Sequence, residues 1–198
     1  MGAAHFMSAI TEERVLDSAQ RLVQTRGFTG FSYRDIAEEL GIKSASIHYY
    51  FPSKSDLGVA LVRRYRERFD AELQSIAARD HEASKRLKAF VGLFRQTLND
   101  ERLCLCGMLG AERDALPPPV SRQVRDFFLL CETWLSDVLK RGRKEGEVAF
   151  LGSPQTVADQ FLSLLEGAMV VARSLNDPGR FDKTANAFLR VLKPSKEA

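Results

Sequence analysis

Apolar residues recur three and four positions apart along nearly the whole chain, and nowhere do they alternate as strands require. Val15, Ala19, Leu22 and Val23 mark a first helix over 11–26, with Thr11 as its cap and Glu12 and Glu13 at the positive helix end. Gly27 closes it, and Phe28 and Phe31 plug the bundle. Ser32 opens a second helix with Asp35 as its capping-box partner; Ile36, Ala37 and Leu40 form the stripe, and Gly41 supplies the left-handed stop. After Ile42 and Lys43, Ser44 caps a third, very short helix. Its Ile47 and Tyr49 face inward, whereas Ser46, His48 and Tyr50 project elsewhere. Pro52 ends that helix, and Ser53 restarts the chain with Asp56 three residues on.

Six further helices follow at ~54–79, ~82–99, ~103–115, ~120–142, ~153–175 and ~181–192, so the fold class is all-α with about nine helices. Pro117 to Pro119 break the chain ahead of the ~120–142 helix, which ends in the polar loop 141–146. Ser153 and Pro154 open the next helix, and 176–179 forms a turn. The segment 157–175 is apolar on almost every face. A helix of that kind has to bury more than one side.

Composition narrows the class without deciding it. The 198 residues are 44% hydrophobic, enough for a sizeable core. No apolar run approaches ~20 residues and no signal-peptide core is present, so no membrane and a cytoplasmic location are expected. Met1 to Phe6 fits no element; residues 1–10 read as a flexible arm, with Met7 a possible native start. The chain carries a formal charge of +3, yet residues 1–56 hold six basic side chains against seven acidic ones. A basic footprint is therefore absent from the count, and any anionic partner must be met by where the charges sit.

Residues 32–57 carry the functional signal. Two short helices around a Gly-bearing turn, packed on a third, form a helix-turn-helix whose second helix suits a DNA major groove. The run from Thr11 to about Leu61 also resembles the DNA-binding domain of the Tet repressor (TetR/AcrR) family. The matching residues are Arg26-Gly27-Phe28, Ser32 to Ala37, Leu40-Gly41-Ile42, and Ile47 through Leu57 with the aromatic run Tyr49-Tyr50-Phe51 before Pro52-Ser53-Lys54. His48 departs from the family, which usually has Tyr there, and this bears on operator preference more than on fold. The resemblance implies a DNA-binding domain over 1–56 and a helical effector-binding and dimerisation domain over 57–198. It implies a ligand-responsive transcriptional regulator, a repressor by default, that binds a palindromic double-stranded operator as a homodimer. A small apolar or electrophilic effector would release it.

Base readout is assigned to Lys43, Ser44, Ala45, Ser46 and His48, and a guanine edge or a phosphate to Arg34. Phosphate contacts are assigned to Tyr33, Tyr50 and Lys54. Tyr49 is assigned to the core. In the larger domain Phe90, Phe94, Cys104, Met108, Phe128, Trp134, Phe161 and Met169 are the effector-pocket residues, although most serve equally well as core. Phe161, Leu165, Ala168, Met169, Ala172 and Phe188 are the dimer-interface residues, with Gly167 and Ala168 allowing close approach. No cofactor or metal is expected: Cys104-x-Cys106 on a helix is not zinc spacing, and no His lies nearby. The segment from Cys104 to Glu112 resembles that of family members that sense oxidants or electrophiles through a cysteine, against the plainer reading of small apolar residues in a helix. Cys131 is core. Two rivals stand beside the regulator: a helical thiol enzyme using Cys104 or Cys106, and a sequence-tolerant architectural DNA binder.

Overall fold

The helical periodicity resolves into nine α-helices in a computed structural model that describes residues 2–194, with side chains from residue 12 onward. In chain order these are α1 (Gly2–Arg26), α2 (Tyr33–Leu40), α3 (Ser44–Tyr50), α4 (Lys54–Arg79), α5 (Ala83–Asn99), α6 (Leu105–Ala111), α7 (Pro118–Lys144), α8 (Pro154–Ser174) and α9 (Pro178–Val191). A 3-10 turn, Arg113–Ala115, lies between α6 and α7. No strand occurs among the described residues.

Three boundaries differ from the sequence reading. Helix α1 begins at Gly2 rather than at Thr11, so Thr11 lies inside it and is no cap. Nothing between Ala3 and Thr11 interrupts propagation: there is no Pro and no Gly, and three of those residues are Ala. Met1 lies outside the described residues. The expected ~103–115 helix is instead the seven-residue α6 plus the 3-10 turn, and the last two prolines of the triple Pro form the first turn of α7, where a missing N–H costs nothing. Pro178 likewise starts α9.

The chain divides into two compact units, Met1–Arg66 with Leu105–Asp126, and Glu67–Cys104 with Phe127–Ala198. The division differs from the expected boundary after residue 56, because the first unit also takes in the start of α4 and a returning segment built on α6. Its core joins Val15, Ala19, Leu22 and Val23 of α1 to Ile36 of α2, Ile47 of α3, and Leu57, Leu61 and Val62 of α4. Phe28 and Phe31 sit edge to face beneath them, 6.2 Å apart. Arg64 crosses back from α4 to bind Glu13 at 2.8 Å and Asp17 at 2.9 Å, which neutralises acids of α1.

The second unit packs α8 along α9, with α5 against both. Its interior is a net of rings. Phe69 lies edge-on to Phe90, Phe94 and Phe127, Phe90 stacks on Trp134 at 5.5 Å, and Phe161 stacks on Phe188 at 4.8 Å. Such pairs each add about 0.5–1.5 kcal/mol beyond simple burial. Arg95 clamps α5 to α9 through Asp182 at 2.9 and 3.0 Å.

Candidate nucleic-acid interface

The reading head is fixed by its caps. Asp35 Oδ2 accepts from Ser32 N at 2.8 Å and from Ser32 Oγ at 2.6 Å, closing the start of α2 and holding the Asp35 carboxyl below its usual range. At the other end Gly41 adopts φ +65°, and the Ala37 carbonyl accepts from both Gly41 N and Ile42 N. A left-handed residue there turns the chain at once into α3. The cap of α3 is the backbone of Lys43 rather than the Ser44 side chain; Ser44 is already the first helical residue. Ser53 and Asp56 form the reciprocal pair expected at α4, with Asp56 N donating to Ser53 Oγ at 3.2 Å and Ser53 N to Asp56 Oδ2 at 3.0 Å.

With Ile47 fully buried, α3 is anchored by one side and presents the other. Lys43, Ala45, His48 and Tyr49 are exposed, and Ser44, Ser46 and Tyr50 are half-buried. Tyr49 is 81% exposed, so its assignment to the core is corrected. Positions 47 and 49 stand about 200° apart on a helix, and one inward face cannot take both. Tyr49 instead meets Tyr50 edge-on at 5.1 Å and enlarges the outward surface. His48 Nδ1 lies 3.4 Å from the Pro52 carbonyl, and its ring lies 4.6 Å from that of Tyr33.

Two residues assigned to phosphate are used inside the head. Tyr33 is 9% exposed and its hydroxyl donates to the Phe51 carbonyl at 2.9 Å, while burial, and then Asp56, push the phenol up to about 12. It locks the end of α3 to the start of α2 and has no reach outward. Lys54 folds its ammonium over the rings of Phe28 and Phe31, 4.9 and 4.2 Å from their centroids, and donates to the Phe31 carbonyl. Burial lowers its pKa, partly offset by Glu112 and Asp35. The ammonium is therefore a structural cation, and the residue's backbone opens α4. Arg34 does stand out, paired one turn along with Glu38 at 2.7 Å.

The acids counted against DNA binding are largely spent internally. Glu13 and Asp17 hold Arg64, and Glu39 takes Ser18 Oγ at 2.7 Å and pairs with Arg21. A contact with no sequence signal secures the loop before α2. Glu112, just after α6, accepts from Phe28 N at 2.9 Å, Thr29 N at 2.9 Å and Thr29 Oγ1 at 2.8 Å. A separation of more than eighty residues hides such a pairing from any local pattern.

Two family models match the chain, one described as bacterial regulatory proteins of the tetR family over residues 15–61, the other as a tetracyclin repressor-like C-terminal domain over residues 83–188. The chain belongs to the TetR family. Its DNA-binding regulator fold accounts for the head, and the chain is not an enzyme. Among relatives, the transcriptional repressor NemR of Escherichia coli K12 is 28% identical over 91% of this chain and 92% of its own length. A TetR-family regulator from Agrobacterium tumefaciens superposes with a TM-score of 0.92 at 31% identity, covering 94% of this chain and all of that one. A second, from Legionella pneumophila, gives 0.83 at 30% identity, covering 92% and 97%. Within this TetR regulator, no described helix is long and apolar enough to cross a membrane.

Of the residues expected to line an effector pocket, Phe90, Phe94, Cys104, Phe128, Trp134, Phe161 and Met169 lie in the second unit and Met108 in the first. Phe90, Phe94, Phe161 and Met169 are buried core, while Phe128 and Trp134 are half-buried. The expected dimer set needs correction. Phe161, Leu165, Ala168, Met169 and Ala172 are buried within their own subunit, so they are not surface residues. The apolar residues left outside along α8 and α9 include Val171, Leu175 and Val191 at 44%, 56% and 77% exposure, and Val191 lines a shallow groove with Leu164, Ala187 and Phe188, beside the charged Asp177, Arg180 and Lys183.

Proposed function

We propose that this TetR regulator is a ligand-responsive repressor that binds a twofold-symmetric operator as a homodimer. The supporting observation is the outward face of α3, rigidly backed by Ile47 and Tyr33 and carrying Lys43, Ala45, His48 and Tyr49. Base edges fall to Lys43, Ser44, Ala45, Ser46 and His48, with Tyr49 added. Arg34 and Tyr50, with the backbone at the start of α4, take the flanking phosphates. Repression follows the sign printed for the relative NemR. Selection of bound duplexes from a random pool tests the reading: a palindrome with half-sites about one helical turn apart supports it, and diffuse sequences or no bound DNA would refute it. Lys43→Ala is expected to weaken the selected operator about 10- to 100-fold and to relax preference at one base step, measured by titration at fixed salt.

The homodimer is assigned to an outward stripe formed by Leu164 and Val171 of α8, Leu175 at its end, and Ala187, Phe188 and Val191 of α9. These positions recur at helical spacing, and Gly167 lies among them with open space around it. Val171→Glu with Val191→Glu should leave the folded subunit within about 0.5 kcal/mol, since both sites are exposed. Sedimentation should then show monomers, and operator affinity should fall at least about tenfold. A double variant that remains dimeric removes this face from the interface.

The effector is read as a reversible, largely apolar molecule. Cys104 and Cys106 are 2% and 0% exposed, which leaves an electrophile little access to either thiol. It can act only through different affinities for the DNA-competent and released arrangements.

A further inference from the structure

Glu166 sits on α8 in a run of apolar residues, and its carboxyl is the most deeply placed of the acids in the second unit whose titration is shifted. Part of the side chain touches solvent, but Oε1 is sealed and has no hydrogen-bond partner. The carboxyl accepts from the Cys104 thiol, which arrives from the segment preceding α6. From α7, Cys131 lies close enough that burial first, and then Glu166 and Glu132, push its thiol well up. Glu132 is itself raised by burial and by Asp159 of α8. The groups tied to Glu166 are thus the two thiols Cys104 and Cys131, and among the described residues no basic side chain acts on its carboxyl. Burial consequently pushes Glu166 up to about 7, with Cys104 only partly opposing it.

Buried polar atoms in folded proteins are almost always paired, and an unpaired one costs about 1–3 kcal/mol. An acid left without a partner at Oε1, inside an apolar unit and with no base beside it, has the chemistry of a site awaiting a positive donor. One turn beyond Cys131, Trp134 stacks on Phe90 and offers an aromatic wall in the same unit. Resting on the ligand-responsive reading, we propose that Glu166 is the anchoring carboxylate for an organic ammonium ligand with an apolar body, whose N–H fills the vacant Oε1. A carboxylate with no basic partner of its own favours a cation over a neutral donor. Cys104 then serves to orient the carboxylate rather than to react.

Benzylammonium chloride is the probe, with benzyl alcohol as the neutral control, both titrated calorimetrically against the full-length chain without DNA. A ligand that needs the ionised carboxylate meets about a tenth of it at pH 6 and about nine-tenths at pH 8, so binding should be about tenfold weaker at pH 6. Glu166→Gln should abolish this binding and its pH dependence. Benzyl alcohol should bind wild type more weakly, and equally at both pH values. Equal affinity of benzylammonium at pH 6 and pH 8, equal affinity in wild type and Glu166→Gln, or no binding at millimolar concentration would each overturn the proposal. If the variant misfolds, the wild-type pH comparison decides alone. Benzyl alcohol binding as tightly as the cation would overturn the ligand class. Because no operator is involved, failure here leaves DNA selection as an independent test of the regulator.

Discussion

Gly27→Ala should destabilise the first unit by about 3 kcal/mol, lowering the melting temperature by roughly 6–12 °C in a chain of this length. Gly27 holds φ +83°, where a side chain costs about 1–2 kcal/mol. An added Cβ would also lie 1.7 Å from Glu112 Oε1. The carboxylate has to move, and it leaves the Phe28 and Thr29 amides it now holds. Hydrogen bonds to a charged group contribute about 1.5–3 kcal/mol each, at the lower end here because the site is half open to water. Glu112→Ala alone should cost about 2 kcal/mol. The double variant should cost less than the two separately by about 1–2 kcal/mol, since the clash disappears with the carboxylate. Strict additivity in thermal or urea unfolding would show that the two residues do not meet.

Glu166 makes stability depend on pH in the opposite sense from a salt-bridged acid. Its folded value, about 7, lies above the 4.5 of an ordinary glutamate, so the folded state binds the proton more tightly. The associated stability is fully present below about pH 4.5, is lost as pH rises through 7, and changes little beyond. The shift corresponds to about 3 kcal/mol. Wild type should therefore lose that amount relative to Glu166→Gln between pH 4.5 and 8, and the variant should be the more stable protein at pH 8. Parallel urea-midpoint curves for the two proteins across that range would show the carboxyl to be normally solvated. This measurement needs no ligand and stands apart from the ammonium titration.

Much of the reading head is legible in the sequence, because its determinants are local. Gly41 in a left-handed stop, Asp35 and Asp56 returning to Ser32 and Ser53, and Pro52 after α3 each act within four residues, which is the range over which caps and turns operate. The same locality explains the errors. Tyr33, Tyr49 and Lys54 lie in an aromatic-rich stretch where several side chains could fill one core, and the sequence cannot say which ring wins. In the structure Tyr33 goes in, Tyr49 goes out, and Lys54 turns back over Phe28 and Phe31. Helix α8 failed differently. Its apolar surround announced burial on more than one side but carried no phase, so the expected dimer residues proved to be mostly the inner ones.

The sequence by itself determined the all-α class, the helix-turn-helix with its stops, and membership of a regulator family, since periodicity and capping are written in neighbouring residues. Tertiary structure alone decided which face of α3 is offered, which stripe of α8 and α9 stays outside, that Glu112 fastens the loop after α1, and that Glu166 is buried without a counter-charge. Those outcomes depend on groups tens of residues apart competing for the same space and the same water, and no local pattern records that competition.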